Sequence, residues 1–471
     1  MKKEDLIIKL GQLAMSNRLT RYLVTKQIDK QLYKAMVTDE KKFSREVRLD
    51  RYYGVKSLLV TAVKNINRGV ISKRFATRAV ETLVKGAMID NDERLKIVKV
   101  YKEKYGTTPP PLVVISPTKK CNLKCIGCYA SSGADNSETL EWSLIDKMMH
   151  EFHDEMGMRF FVISGGEPLM YQSEGKNILD LPKAWPDSFF LMYTNGTLIT
   201  EDVAKQMAEL GNITPAVSVE GLEKETDERR GAGIHQVVLK SLANLRQAQA
   251  PFGVSVTATS KNAKLLLNDD FYTYYFDQQG ASYMWMFQYM PIGREFNTKL
   301  MLSPGARFEL YKKWRQLIRE KNWFVADFWN SAEMSEGCIS CGKSYFYIDW
   351  NANIMPCVFI PYYKDNVRKV YGEGKKIADA LFSDFFVKGR DWQEKYLKKD
   401  KPGANLLRPC LIRDHHREFM DIARACHVLP EDEAAAAALN DEKYHEEIYE
   451  FDAELKSITD PYWEEVLAKK D

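Results

Sequence analysis

From residue 107 onward the chain alternates short apolar runs with amphipathic stretches, and this alternation constrains the fold more than any other feature. Runs at 112–116, 159–164, 188–193, 214–219, 252–259 and 282–289 read as strands. Between or after them, 142–156, 201–210, 235–248 and 307–320 carry helical periodicity. Strands that alternate with helices pair in parallel, which predicts an α/β fold with a partial (β/α)6 TIM-like barrel over 107–325. In such a barrel the chemistry sits on loops at the C-terminal strand ends.

Upstream, Thr107-Thr-Pro-Pro-Pro111 breaks any helix and marks a boundary. Residues 1–106 read as an all-helical domain. Val55, Leu58, Leu59, Ala62, Val63 and Ile66 form one apolar stripe, and Ile71, Phe75, Val80, Leu83, Val84 and Ala87 a second. Leu6, Ile7, Leu10, Leu13 and Ala14 form a weaker one. Downstream, 345–349 and 354–359 flank an Asn-rich turn and read as a β-hairpin within a small domain at 326–430. An Ala- and acid-rich helical tail is expected over 431–471.

The totals set limits. The 471 residues exceed one typical domain, and 45% hydrophobic with 28% charged residues is a globular composition. A net charge of +3 points to no polyanionic partner, and no nucleic acid is expected. The charge is uneven: residues 1–100 carry 23 Lys and Arg against 11 Asp and Glu. The opening stretch has no long apolar core of the secretory type, and no run approaches the ~18 apolar residues of a membrane span. Eight cysteines, several at ligand spacing, suit a reducing cytoplasm.

Cys121, Cys125 and Cys128 fall within eight residues in a C-x3-C-x2-C pattern. A [4Fe–4S] cubane has four irons, so three thiolates leave one iron open to a ligand. A structural zinc site wants a fourth ligand nearby, and the next candidate is His150, on an expected helix. Zinc and plain structural thiols are the competing readings.

This spacing, followed by Tyr129, resembles the signature of the radical S-adenosylmethionine (SAM) superfamily. The resemblance implies that SAM chelates the open iron. Its reductive cleavage then gives a 5′-deoxyadenosyl radical, which takes hydrogen from an unactivated carbon. Other motifs fall at the next strand ends, in step with that family. Gly165-Gly-Glu-Pro168 implies contacts from Gly165, Gly166 and Glu167 to the SAM methionine, against the plain alternative of a tight turn. Asn195 lies in Thr-Asn-Gly. Ser218 and Glu220 share a strand face by period-2 spacing. Arg230, in a D-x-x-R-G-like segment with Arg229 beside it, is the implied partner of the SAM carboxylate. Arg294, in Pro-Ile-Gly-Arg, is either near the adenine or a surface charge.

A second cysteine set, Cys338, Cys341, Cys357 and Cys410, resembles SPASM and twitch domains, which bind an auxiliary [4Fe–4S] cluster. Cys338 and Cys341 are equally placed as the first ligand, and Ala352 stands where the resemblance expects a turn Gly. Cys426 is spare, and His415 and His416 are read as capping or surface groups. The implied activity is C–C or C–S bond formation aided by that cluster, with a flavodoxin- or ferredoxin-type reductant. The basic N-terminal helices allow contact with an anionic membrane surface, and hence a lipid substrate; ordinary packing on the barrel is the competing reading. Maturation of a ribosomal peptide is the main alternative, and a non-catalytic Fe–S carrier the alternative from another class. Residues 1–105 lack a D-x-H-x-x-G cobalamin signature and the strand–helix mix of a peptide-binding winged helix.

Overall fold

One ten-stranded sheet organises the molecule, a computed structural model that describes residues 17–83, 92–398 and 404–469. The strands are β1 (Leu112–Ile115), β2 (Phe160–Ile163), β3 (Phe189–Thr194), β4 (Ile213–Val219), β5 (Gly253–Ala258), β6 (Met284–Gln288), β7 (Val325–Asp327), β8 (Tyr347–Ile348), β9 (Asn353–Met355) and β10 (Asp365–Asn366). Their order is β10-β9-β8-β1-β2-β3-β4-β5-β6-β7. Every pairing from β8 through β7 is parallel, while β8–β9 and β9–β10 are antiparallel. The six expected strands are all present, in sequence order.

Strand alternation separates two cores. Val113, Ile115, Phe161, Ile163, Phe190, Met192, Val217 and Val219 face outward into the layer shared with the helices. Val114, Val162, Leu191 and Ala216 face the barrel interior. The covering helices include Trp142–His150, Glu201–Leu210, Ile234–Gln247 and Pro304–Gln316. Glu201–Leu210 starts at Thr200, whose side chain accepts the Val203 N–H, and ends at Gly211 in the left-handed region.

Two expectations of organisation change. The hairpin expected in a separate small domain continues the barrel sheet: β8 pairs with β1 at Val114–Tyr347 and Ile115–Ile348. The free edge of β1 offers unpaired backbone groups, and β8 satisfies them. Ala352 takes the turn position with φ +66°.

The second change concerns the N-terminal helices, α1 (Arg18–Tyr33), α2 (Arg45–Asn67), α3 (Lys73–Ala79) and α4 (Asp92–Tyr105). The most deeply buried face of α2 is not the apolar stripe from Val55 to Ile66, whose members are half-buried. It carries Val47, Asp50, Gly54, Ser57, Thr61 and Asn65. Three of these residues meet backbone or charge near the N-terminal strand ends. Asn65 Nδ2 donates to Gly280 O and Ser282 Oγ, both at 2.9 Å. Thr61 Oγ1 donates to Asn322 O at 3.1 Å. Buried Asp50 accepts from Arg315 at 2.9 Å and Arg319 at 2.6 Å. Small and polar residues win here because exposed carbonyls at a barrel floor need donors at close range. The stripe at Leu6–Ala14, and Val84 and Ala87 of the second, lie outside the described residues. Among the described residues no helix is long and apolar enough to cross a membrane.

Candidate active site

The loop carrying Cys121, Cys125 and Cys128 hangs from four strand ends. It leaves β1, and its Lys120 and Thr118 carbonyls accept from Glu167 N (2.8 Å) and Gly166 N (2.9 Å) beyond β2. Asn195, beyond β3, points Nδ2 at Cys121 Sγ (3.7 Å) and donates to Asn122 Oδ1 at 2.8 Å. Arg229, beyond β4, binds Ile126 in both directions: its carbonyl accepts Ile126 N at 3.0 Å and its Nε donates to Ile126 O at 3.1 Å. Arg294, beyond β6, donates from backbone N to Cys128 O at 3.0 Å and from Nη1 to Cys125 O at 2.8 Å.

Two glycines permit this closeness. A Cβ on Gly166 would sit 2.3 Å from Lys120 O, and one on Gly293, at φ +67°, 2.2 Å from Tyr129 O. Arg294 is thus a loop-positioning residue, where sequence alone offered a place near the adenine or a surface charge. The signal that could have found it is Gly293 beside it.

All three cysteines line one cavity of about 470 Å³, together with Tyr129, Gly165, Gly166, Asn195, Ser218 and Arg230. Tyr129 is fixed by a 2.8 Å hydrogen bond between its hydroxyl and Ser164 Oγ. Glu167 and Glu220, expected among the cofactor contacts, lie behind the wall. Glu167 is buried and accepts from Thr194 Oγ1 and Asn195 N, both at 2.7 Å. Glu220 is 1% exposed and binds Arg229 at 2.6 Å and Arg230 at 2.5 Å. Strand β4 stops at Val219, so Glu220 leaves the period-2 register that would have set it beside Ser218. Arg230 in turn lies 4.0 Å from Cys125 Sγ.

Burial pushes the Cys121 thiol up to about 11 and raises that of Cys125, with Arg230 opposing the second shift. Thiols held this way ionise when a metal centre takes the proton's place. Among the described residues no three Cys, His, Asp or Glu side chains converge on a single-ion position. The all-thiol donor set, an open side facing the cavity and the adjacent Arg230 fit an iron–sulfur cluster.

Members of the second cysteine set line the same cavity. Cys338, Cys357 and Cys410 line it. Cys357 Sγ accepts from Tyr345 OH at 2.7 Å and from Phe359 N at 3.4 Å. Cys410 N donates to Asp414 Oδ2 at 3.1 Å, and Asp414 is held by Arg307 at 2.5 Å and Arg413 at 3.1 Å. Cys341 does not line the cavity: its Sγ packs against Gly389, where an added Cβ would come within 2.4 Å, and the Ser340 hydroxyl links it to Cys338, at 3.4 Å from Cys341 Sγ and 3.1 Å from Cys338 Sγ. Cys426 is fully buried in the packing of helix His416–Cys426 and does not line the cavity. His415 and His416 are buried too, bonded to Arg408 O (3.0 Å) and to Ile412 O (2.6 Å) and His445 (2.9 Å). Between the two cysteine sets the wall is aromatic, with Tyr193, Trp285, Phe287, Phe328, Trp329 and Phe359.

Residues 115–259 match the Radical SAM superfamily. The AdoMet-dependent heme synthase of Methanosarcina barkeri is 24% identical over 294 residues, which covers 56% of this chain and 81% of that protein. The Fe-coproporphyrin III synthase of the same organism is 29% identical over 163 residues, 34% of this chain and 40% of that protein. Among solved structures, Streptococcus suis SuiB bound to S-adenosylmethionine aligns with a TM-score of 0.52 at 16% identity, covering 77% of this chain and 87% of that one. SuiB bound to its precursor peptide SuiA aligns with a TM-score of 0.51 at the same identity, covering 76% and 89%. At this identity the likeness is one of fold.

Proposed function

We propose that this chain, a radical SAM enzyme by its domain at residues 115–259, takes hydrogen from an unactivated carbon of an apolar substrate and joins that carbon to a second carbon or to sulfur. One observation carries the reading: two separate cysteine sets line a single, mostly apolar cavity. Cys121, Cys125 and Cys128 hold the cluster that, when bound, supplies the electron for SAM cleavage. Gly165, Gly166, Asn195, Ser218 and Arg230 lie where they can bind and orient SAM. Glu167 and Glu220 act one layer back, on Asn195 and the two arginines. Tyr129 closes the cavity beside Ser164. Apolar and aromatic walls exclude water from a radical intermediate.

Cys338, Cys357 and Cys410 are the proposed ligands of an auxiliary [4Fe–4S] cluster, which would supply an acceptor for the electron released when the second partner's hydrogen leaves as a proton. Cys341, the fourth member of the expected set, packs under Gly389. The reductant is of flavodoxin or ferredoxin type and the setting cytoplasmic. A lipid substrate met at an anionic membrane surface is favoured by two features: the apolar cavity, and α1, where Leu19, Tyr22 and Leu23 are exposed alongside Lys26 and Lys30. The alternative, maturation of a peptide, draws on the fold shared with SuiB, whose structure includes a precursor peptide. A carrier without catalysis would have no use for Gly165, Gly166, Ser218 and Arg230 beside the first cysteine set.

Anaerobically reconstituted protein with dithionite and SAM is expected to yield 5′-deoxyadenosine and about eight irons per chain. No 5′-deoxyadenosine would sink the SAM chemistry, and about four irons would sink the auxiliary cluster. Flotation with anionic vesicles at low and high salt tests the membrane reading, which fails if no salt-sensitive binding is seen.

A further inference from the structure

The cavity does not stop at the cysteine loops. Its wall includes Leu112 and Phe160, the first residues of β1 and β2, then Phe324, Trp314 and Met334, and it ends on Gly54 of α2. It therefore spans the barrel from the C-terminal strand ends to the floor that the N-terminal helices provide. A strand rises roughly 3.3 Å per residue, so the cavity is deep relative to its modest volume. The charged side chains on its wall are Arg229 and Arg230, both engaged by Glu220 at the cysteine-loop end. Gly54 lies inside a long helix, where glycine is a weak choice, and it has a specific neighbour. A Cβ there would come 2.7 Å from Met334 Cε and 2.9 Å from its Sδ.

We infer that this channel seats a linear alkyl or acyl chain with its methyl end against Gly54 and Met334, and that these two residues set the chain length accepted. The inference rests on the proposed reaction only in taking that chain as the radical's target; the binding stands on the channel itself. A peptide main chain would carry an N–H and a C=O per residue past Leu112, Phe160, Phe324, Met334 and Trp314, whose side chains offer no strong acceptor and, with Trp314 Nε1 given to Val325 O, no donor. A macrocycle bearing several carboxylates would meet no unengaged cation on the wall described. A hydrocarbon chain needs neither, and every methylene it buries adds affinity. With the methyl end fixed at the floor, depth also decides which carbon lies level with Ser164 and the cysteine loop.

The test is binding of straight-chain fatty acids of increasing length, below their micellar concentrations, to the anaerobically reconstituted full-length protein. Affinity should tighten about three- to fourfold per added methylene and then level off once the chain reaches the floor. Met334→Ala should move the plateau to longer chains and Gly54→Leu to shorter ones. Gly54→Ala, which meets only the flexible end of Met334, is the milder variant if Gly54→Leu does not fold, and a thermal melt of each variant identifies that case. Affinity independent of length, or a plateau that Met334→Ala leaves in place, overturns the channel. A plateau that moves while no lipid raises 5′-deoxyadenosine formation above the level with SAM and dithionite alone upholds the channel and removes the lipid-substrate reading instead.

Discussion

The two cysteine sets reach one cavity by opposite routes. Cys121, Cys125 and Cys128 sit on one short loop, and backbone hydrogen bonds from the ends of three other strands hold it in place. Cys338, Cys357 and Cys410 come from three separated segments: the stretch after β7, the end of the hairpin, and the turn before Leu411–Asp414. Their convergence depends on the hairpin docking on β1 and on a buried ion pair, Arg307–Asp414, beside Cys410. A site made by one loop is encoded by spacing; a site made by distant segments is encoded by tertiary packing.

The largest effect should come from splitting the two sets. Cys121→Ala is expected to reduce 5′-deoxyadenosine formation to background. Cys357→Ala should leave SAM cleavage in place, stop product formation and lower iron from about eight to about four per chain. Cys341→Ser sharpens the comparison, because its thiol packs against Gly389 and does not line the cavity. It should keep about eight irons, whereas Cys338→Ser should lose about four. Equal iron loss in both variants would return Cys341 to the ligand set.

The same contrast explains what the sequence made legible. The strand–helix alternation, the first cysteine loop and the glycines beside it are local patterns, and the sheet order follows them. Three features were not local. Cys338 and Cys341 are equivalent by spacing, and only the packing of helix Asp384–Leu397 over Cys341 separates them. Glu220 looks like a cavity residue until the end of β4 releases it to Arg229 and Arg230. The deep face of α2 is polar and small because its partners are carbonyls and arginines at the barrel floor, which no apolar periodicity reports.

The ion pair that gathers the second set should be the next largest effect. Burial alone would raise the pKa of Asp414, but the guanidiniums of Arg307 and Arg413 hold it well below the usual carboxylate range. Asp414→Asn strands both arginines without a counter-charge. It should cost about 3–5 kcal/mol in a denaturant titration, with iron falling at the second set first. The neighbouring His416 supplies a pH dependence. Burial lowers its pKa to about 4, and its ring lies 2.6 Å from Ile412 O and 2.9 Å from His445. The unfolded chain takes up this proton near pH 6.5 while the folded chain does not. The stabilisation is therefore complete above 6.5 and is lost as pH falls toward 4, by about 3 kcal/mol in total. Melting curves of wild type and His416→Phe across that window should converge as the pH drops; parallel curves would remove His416 as the source.

The smallest effect offers the finest comparison, because each cysteine set has one tyrosine hydroxyl and only one of them touches sulfur. Tyr129 OH bonds Ser164 Oγ at 2.8 Å, whereas Tyr345 OH donates to Cys357 Sγ at 2.7 Å. Removing either hydroxyl should cost about 1 kcal/mol of stability, the usual worth of one hydrogen bond. Their electronic consequences should differ. Hydrogen bonds to ligating sulfur favour the reduced form of a cluster, so Tyr345→Phe should lower the potential of the second centre and leave the first unchanged. Tyr129→Phe should shift neither. An EPR-monitored redox titration of both variants reads this directly. A second-centre signal that Tyr345→Phe leaves in place would mean that Cys357 does not ligate it, and the two cysteine sets would then differ in kind and not only in how the fold assembles them.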